Sequence, residues 1–204
     1  MTETKTPKKE SQKVTKKDEE KPKTMNKVSK QETFTAKSGK KYIFSYPGTF
    51  FVQKNVIDAS TLPNGTRSDP LYYEALFEHI LEGDYDWNYF DKLVPEAIKS
   101  DSIQVEDFDG SEVTYDFKFP GFEAWETLVE NSTAITGQIL LSEYYKGMMK
   151  DVITNDIDFA YWDHHAGYSA VMDAADRFMG QLVYDSEFKE VLDAAKEFLS
   201  RMFR

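Results

Sequence analysis

Tyr42-Ile43-Phe44-Ser45-Tyr46-Pro47-Gly48 returns 73 residues later as Tyr115-Asp116-Phe117-Lys118-Phe119-Pro120-Gly121. In each copy the aromatic residues recur at every second position, the side-chain period of a strand, so Tyr42, Phe44 and Tyr46 share one face and Tyr115, Phe117 and Phe119 share another. Pro-Gly then ends the strand, because proline lacks a ladder donor and glycine lets the chain turn. Each strand has an upstream partner. Thr33-Phe34-Thr35-Ala36 faces the first across Lys37-Ser38-Gly39-Lys40, and Ser102-Ile103-Gln104-Val105-Glu106 faces the second across Asp109-Gly110-Ser111. Two β-hairpins are therefore expected, each laying its aromatic face on the helices of its own unit.

The echo continues beyond the hairpins at an offset of 72. Tyr72-Tyr73 meets Tyr144-Tyr145, Ile80-Leu81 meets Val152-Ile153, and Trp87-Asn88-Tyr89-Phe90-Asp91 meets Phe159-Ala160-Tyr161-Trp162-Asp163. Strand, Pro-Gly break, Tyr-Tyr helix and aromatic-acidic knot in one order, with a slip of one residue, imply a duplicated structural unit.

Between these landmarks the periodicity is helical. Residues 49–59 read as a short helix, followed by a turn at Leu62-Pro63-Asn64-Gly65-Thr66. Asp69 and Pro70 suit the N-cap and first position of a helix whose Leu71, Tyr72, Ala75, Leu76, His79 and Ile80 lie along one face, ending at Gly83. Residues 93–98 read as a short helix started or kinked at Pro95. Residues 168–183 and 188–203 read as two amphipathic helices, the second capped by Asp185 or Ser186. Its apolar face is open between covering the second unit and meeting a partner. The fold class is thus α+β and mostly helical. It comprises a lysine-rich tail over 1–31, expected to be disordered, a first unit over 32–100, and a second related unit over 101–204 that carries two extra C-terminal helices.

Charge divides the chain. Residues 1–30 hold ten lysines against five acids, so the net −11 of the whole leaves −16 on residues 31–204. An acidic body repels a phosphate backbone, which argues against nucleic acid as a partner. No apolar run approaches the roughly 18 residues of a membrane span, and the N-terminus has no apolar signal core. There is no cysteine, and three histidines are little material for a metal centre. Phosphate-loop, nucleophile-elbow and metalloprotease motifs are missing. Asp163-His164-His165 beside Asp156 and Asp158 is the one constellation with imidazoles and carboxylates together, and its ordinary reading is solvated side chains. No catalytic residue, metal or cofactor is expected. Protein binding remains, with large aromatics as anchors, since Tyr and Trp bury much area at small entropic cost. For Trp87, Phe90, Phe159 and Trp162 the core is the more ordinary place.

The run Lys40-Lys41-Tyr42-Ile43-Phe44-Ser45-Tyr46-Pro47-Gly48, the helix Tyr72-Tyr73-Glu74-Ala75-Leu76-Phe77-Glu78-His79-Ile80-Leu81 and the knot Asp86-Trp87-Asn88-Tyr89-Phe90-Asp91 resemble the tail assembly chaperones of long-tailed phages of Gram-positive bacteria. The likeness covers residues 32–92 and extends more weakly to 163. It implies a protein of the host cytoplasm that binds the tape-measure and major tail-tube proteins until the tail is built, with self-association also open. The matching positions are Tyr72, Tyr73, Trp87, Tyr89 and Phe90, and in the second copy Tyr144, Tyr145, Tyr161 and Trp162. Rival readings are a structural component of the tail and an acidic mimic of DNA that occupies a host protein.

Overall fold

A computed structural model of the chain describes residues 30–204. The tail expected over 1–31 lies outside them except for Lys30 and Gln31, the latter already in strand. The first hairpin pairs β1 (Gln31–Thr35) with β2 (Lys41–Ser45), placing Phe34 opposite Tyr42. The second pairs β3 (Ser100–Glu106) with β4 (Glu112–Lys118), placing Ile103 opposite Tyr115. Each is a two-stranded antiparallel sheet, extended by a single bridge from the chain after the Tyr-Tyr helix, Phe44 to Leu81 and Phe117 to Ile153.

Helices make up the rest, as the α+β, mostly helical class requires. After Pro47-Gly48 come α1 (Thr49–Val52), a π-helical turn (Gln53–Asp58), α2 (Asp69–His79), α3 (Trp87–Asp91) and a 3-10 turn (Glu96–Ile98). After Pro120-Gly121 come α4 (Phe122–Asn131), α5 (Leu141–Asp151), a 3-10 turn (Tyr161–Asp163), α6 (Tyr168–Tyr184) and α7 (Glu187–Met202). Ser68 caps α2, accepting from the Leu71 amide at 3.4 Å, so Asp69 and Pro70 occupy the first turn, one position later than the sequence suggested. Ser186 caps α7, accepting from Lys189. Among the described residues no helix is long and apolar enough to cross a membrane.

The duplication is visible bond by bond. Ser60 and Ser132, both buried, donate to the carbonyls four residues back, Val56 and Leu128. Ser45 donates its amide to Ile80 and Lys118 to Val152, at 2.8 and 2.9 Å. The Tyr42 and Tyr89 hydroxyls lie 3.2 Å apart, those of Tyr115 and Tyr161 3.0 Å apart. The slip from 73 to 72 also has a location. From Gly48 to Val56 the first copy uses one residue more than the second uses from Gly121 to Leu128, and this is where the first copy is π-helical. A π turn closes over one more residue than an α turn, so it absorbs the extra residue without moving the buried serine that follows.

The last helix corrects the expected domain division. Phe44 packs on Phe198 of α7 (5.8 Å), whereas Phe117 packs on Phe178 of α6 (6.0 Å), so hairpin one is covered from the far end of the chain and not by its own unit alone. Val191-Leu192-Asp193-Ala194-Ala195-Lys196-Glu197-Phe198-Leu199 repeats Val171-Met172-Asp173-Ala174-Ala175-Asp176-Arg177-Phe178-Met179 at an offset of 20. Helix α7 is therefore the first unit's own copy of α6, and the second unit is nested between α3 and α7. It is neither an extra helix of the second unit nor a face left for a partner. Six side chains of α7, from Phe188 to Leu199, are buried in the shared core.

Candidate functional site

The knots are built from the same parts in both units. Asp86 accepts the Tyr89 amide at 2.7 Å and Asp158 accepts the Tyr161 amide at 2.9 Å, which turns the following aromatic residues back into the unit. In the first unit Lys40 donates to the Tyr89 hydroxyl, which contacts Tyr42, and Tyr42 donates to Glu187 at the start of α7. Burial first, then Glu187, raises the Tyr42 hydroxyl pKa and keeps it a neutral donor.

These contacts decide which nominated aromatics can meet a partner. Tyr72, Tyr73, Trp87, Phe90 and Tyr144 are buried, so as contact residues they are corrected to core. Tyr89, Tyr145, Tyr161 and Trp162 are half-buried and keep accessible surface. Phe159, for which the core is the more ordinary place, is instead 41% exposed. His165 is not simply solvated. It stacks on Tyr161 at 3.9 Å and bonds through Nδ1 to Asp107 at 2.6 Å, tying the tip of the second hairpin to the start of α6. Asp107 also accepts the Ala166 amide, and these bonds lower its carboxyl pKa. His164 is exposed.

A concavity lies on the seam between the units, at residues the motifs did not single out. A groove of about 830 Å³ runs between the tip of hairpin one, the connector that carries the 3-10 turn, the start of β3 and the junction of α6 with α7. Its apolar lining includes Leu93 and Ile98, 40% and 50% exposed, with Phe178 and Leu182 behind them. Its rim carries Asp101, Asp185, Glu187 and Glu190 against Lys37. Lys37 is held by Glu190, 2.8 Å away, and this contact lowers the Glu190 pKa. Among the described residues Asp101 and Asp185 face no cation at ion-pair distance. Leu93 and Ile98 sit in the connector between the repeats, so a search based on repetition passes over them. An apolar pair with no counterpart in the second copy was the available signal.

Elsewhere along the seam Glu126 of α4 faces Asp69, Lys196 and Lys189. Burial first, then the Asp69 charge, pushes its carboxyl up to about 7, against the lysines. Comparison with known protein families, curated proteins and solved structures finds no match to this chain.

Proposed function

We propose that the protein binds other polypeptides through the seam groove and serves as an assembly chaperone of a phage tail, with tape-measure and tail-tube subunits as clients in the host cytoplasm. The observation that carries the binding role is the groove itself, in which exposed Leu93 and Ile98 stand beside Asp101 and Asp185, which make no ion pair among the described residues. A client segment with alternating apolar and basic side chains satisfies both features. Burying what remains exposed of Leu93 and Ile98 contributes about 1 kcal/mol each, and Asp101 and Asp185 add orientation more than affinity. The identity of the clients rests on the resemblance of the tyrosine-rich strand, the Tyr-Tyr helix and the knot to tail chaperones. The −16 on residues 31–204 supports the role by keeping a loaded complex soluble.

Co-expression with a tape-measure protein tests the proposal. Soluble yield of the client is expected to rise, the two proteins to co-purify, and the double variant Leu93→Asp, Ile98→Asp to lose both effects while keeping its circular dichroism spectrum. An unchanged yield without co-purification rejects the chaperone role, and a fully active double variant rejects the groove.

A further inference from the structure

We propose that the aromatic face at the open end of the second unit, formed by Leu141, Tyr145, Phe159, Trp162 and Tyr168, receives the first helix of another copy of this chain. Copies would then join head to tail.

The first unit shows what covers such a face. Tyr73, Trp87, Phe90 and Phe188, the equivalents of Tyr145, Phe159, Trp162 and Tyr168, are all buried, because α4 lies across α2 and α3, and half-buried Asp69 stands at the Leu141 position. The Phe122 ring stacks on Phe188 and the Phe122 amide donates to Asp91 at 2.9 Å. The second unit repeats the receiving geometry closely. Tyr145 stands 5.9 Å from Tyr168, as Tyr73 does from Phe188, and Trp162 stands 5.6 Å from Tyr168, as Phe90 does from Phe188. In the second unit the chain passes from Asp163 directly to α6 with no helix matching α4 between them, and Phe159 is 41% exposed where Trp87 is 6%; Leu141 beside it is 59% exposed. Asp163, the counterpart of Asp91, is exposed, and its carboxylate makes no hydrogen bond or ion pair among the described residues, its amide donating to the Ala160 carbonyl.

The chain also carries an uncommitted copy of the covering helix. Helix α1 leaves Pro47-Gly48 as α4 leaves Pro120-Gly121, with both glycines at positive φ. Its outer side is open, with Phe50 81% and Phe51 40% exposed. Charge changes in step on the two surfaces. Glu126 of α4 faces Lys196 in the first unit, while the second unit has Asp176 at the Lys196 position. At the Glu126 position the first helix has Gln53 or Lys54, on either side of the one-residue slip. An acid facing a lysine thus becomes a neutral or basic group facing an aspartate, which favours the chain's own first helix over a foreign acidic one. Because the two surfaces are different and lie on different units, the contact is heterologous and adds copies until a ring closes or a filament forms.

Sedimentation velocity of the full chain over rising concentration reads the outcome. Species beyond the dimer are expected. Phe50→Asp and Leu141→Asp place acids in the first turns of exposed helices, which the fold tolerates, and each is expected to abolish association alone. Mixed together, the two variants are expected to form a dimer and stop there, since only one intact pair of surfaces remains. A wild type that stays monomeric throughout overturns the proposal, as does self-association by either variant alone. If the monomer instead binds a foreign helix through Leu141, the face belongs to that partner and the proposal is wrong. None of these readouts involves a client of the seam groove, so the two proposals stand or fall separately.

Discussion

The rings of Phe122 and Phe188 lie stacked with centroids 4.4 Å apart and planes 15° from parallel. One begins the first helix of the second unit and the other lies in the first turn of the helix that closes the first unit. Phe188 also meets Tyr73, Phe77, Trp87 and Phe90, so one side chain joins the knot of the first unit to its neighbour.

Phe188→Ala is accordingly expected to cost about 3–5 kcal/mol, the usual range for a buried phenylalanine. Urea unfolding followed by tryptophan fluorescence and by far-ultraviolet circular dichroism should show one coincident transition in the wild type, shifted to lower denaturant in the variant. A shift below about 1 kcal/mol would mean that the stacked pair does not join the units.

Ending the chain after Ser186 removes α7 and uncovers Phe44, whose ring lies on Phe198. The shortened chain is expected to lose its cooperative thermal transition and to bind a hydrophobic dye. Had α7 been an appendage of the second unit, the first hairpin would keep its cover and the melt would survive.

Glu126 makes stability fall with rising pH. Its folded pKa of about 7 lies above its ordinary 4.5, so the folded state holds this proton more tightly than the unfolded chain does. The contribution is most favourable below the ordinary value and declines as pH rises toward the folded one. Glu126→Gln is expected to raise stability by on the order of 2 kcal/mol above pH 8 and to change little near pH 4. Equal gains at both pH values would show that protonation is not the cause.

Asp91 and Asp163 occupy matching positions with different surroundings. Asp91→Ala removes the acceptor for the Phe122 amide and is expected to cost about 1 kcal/mol, as the loss of a helix cap does. Asp163→Ala in dilute protein is expected to fall within about 0.5 kcal/mol of the wild type. Thermal melts of the two variants side by side decide this, and equal losses would contradict the asymmetry.

Gly121 explains why the second break must be Pro-Gly. Its φ is +99°, and a Cβ there would stand 2.9 Å from an Asp91 carboxylate oxygen. Any side chain would be strained twice, by the backbone and by the cap it displaces.

Much of this architecture was written locally. Alternating aromatics, Pro-Gly breaks and the 3- and 4-residue apolar steps act within a few residues of one another, so they determine two hairpins, the Tyr-Tyr helices, the two C-terminal helices and the duplication from the chain alone. Burial and pairing across long separations are different in kind. Tyr73 and Trp87 became core while Tyr145 and Phe159, their counterparts, kept open surface, because α4 covers the first unit and, among the described residues, no helix lies across the matching face of the second. The nesting of the second unit inside the first, the groove at Leu93 and Ile98, and the placing of Phe198 on Phe44 depend on which surfaces meet once the chain is closed, and that is settled only when residues more than a hundred positions apart compete for the same apolar face.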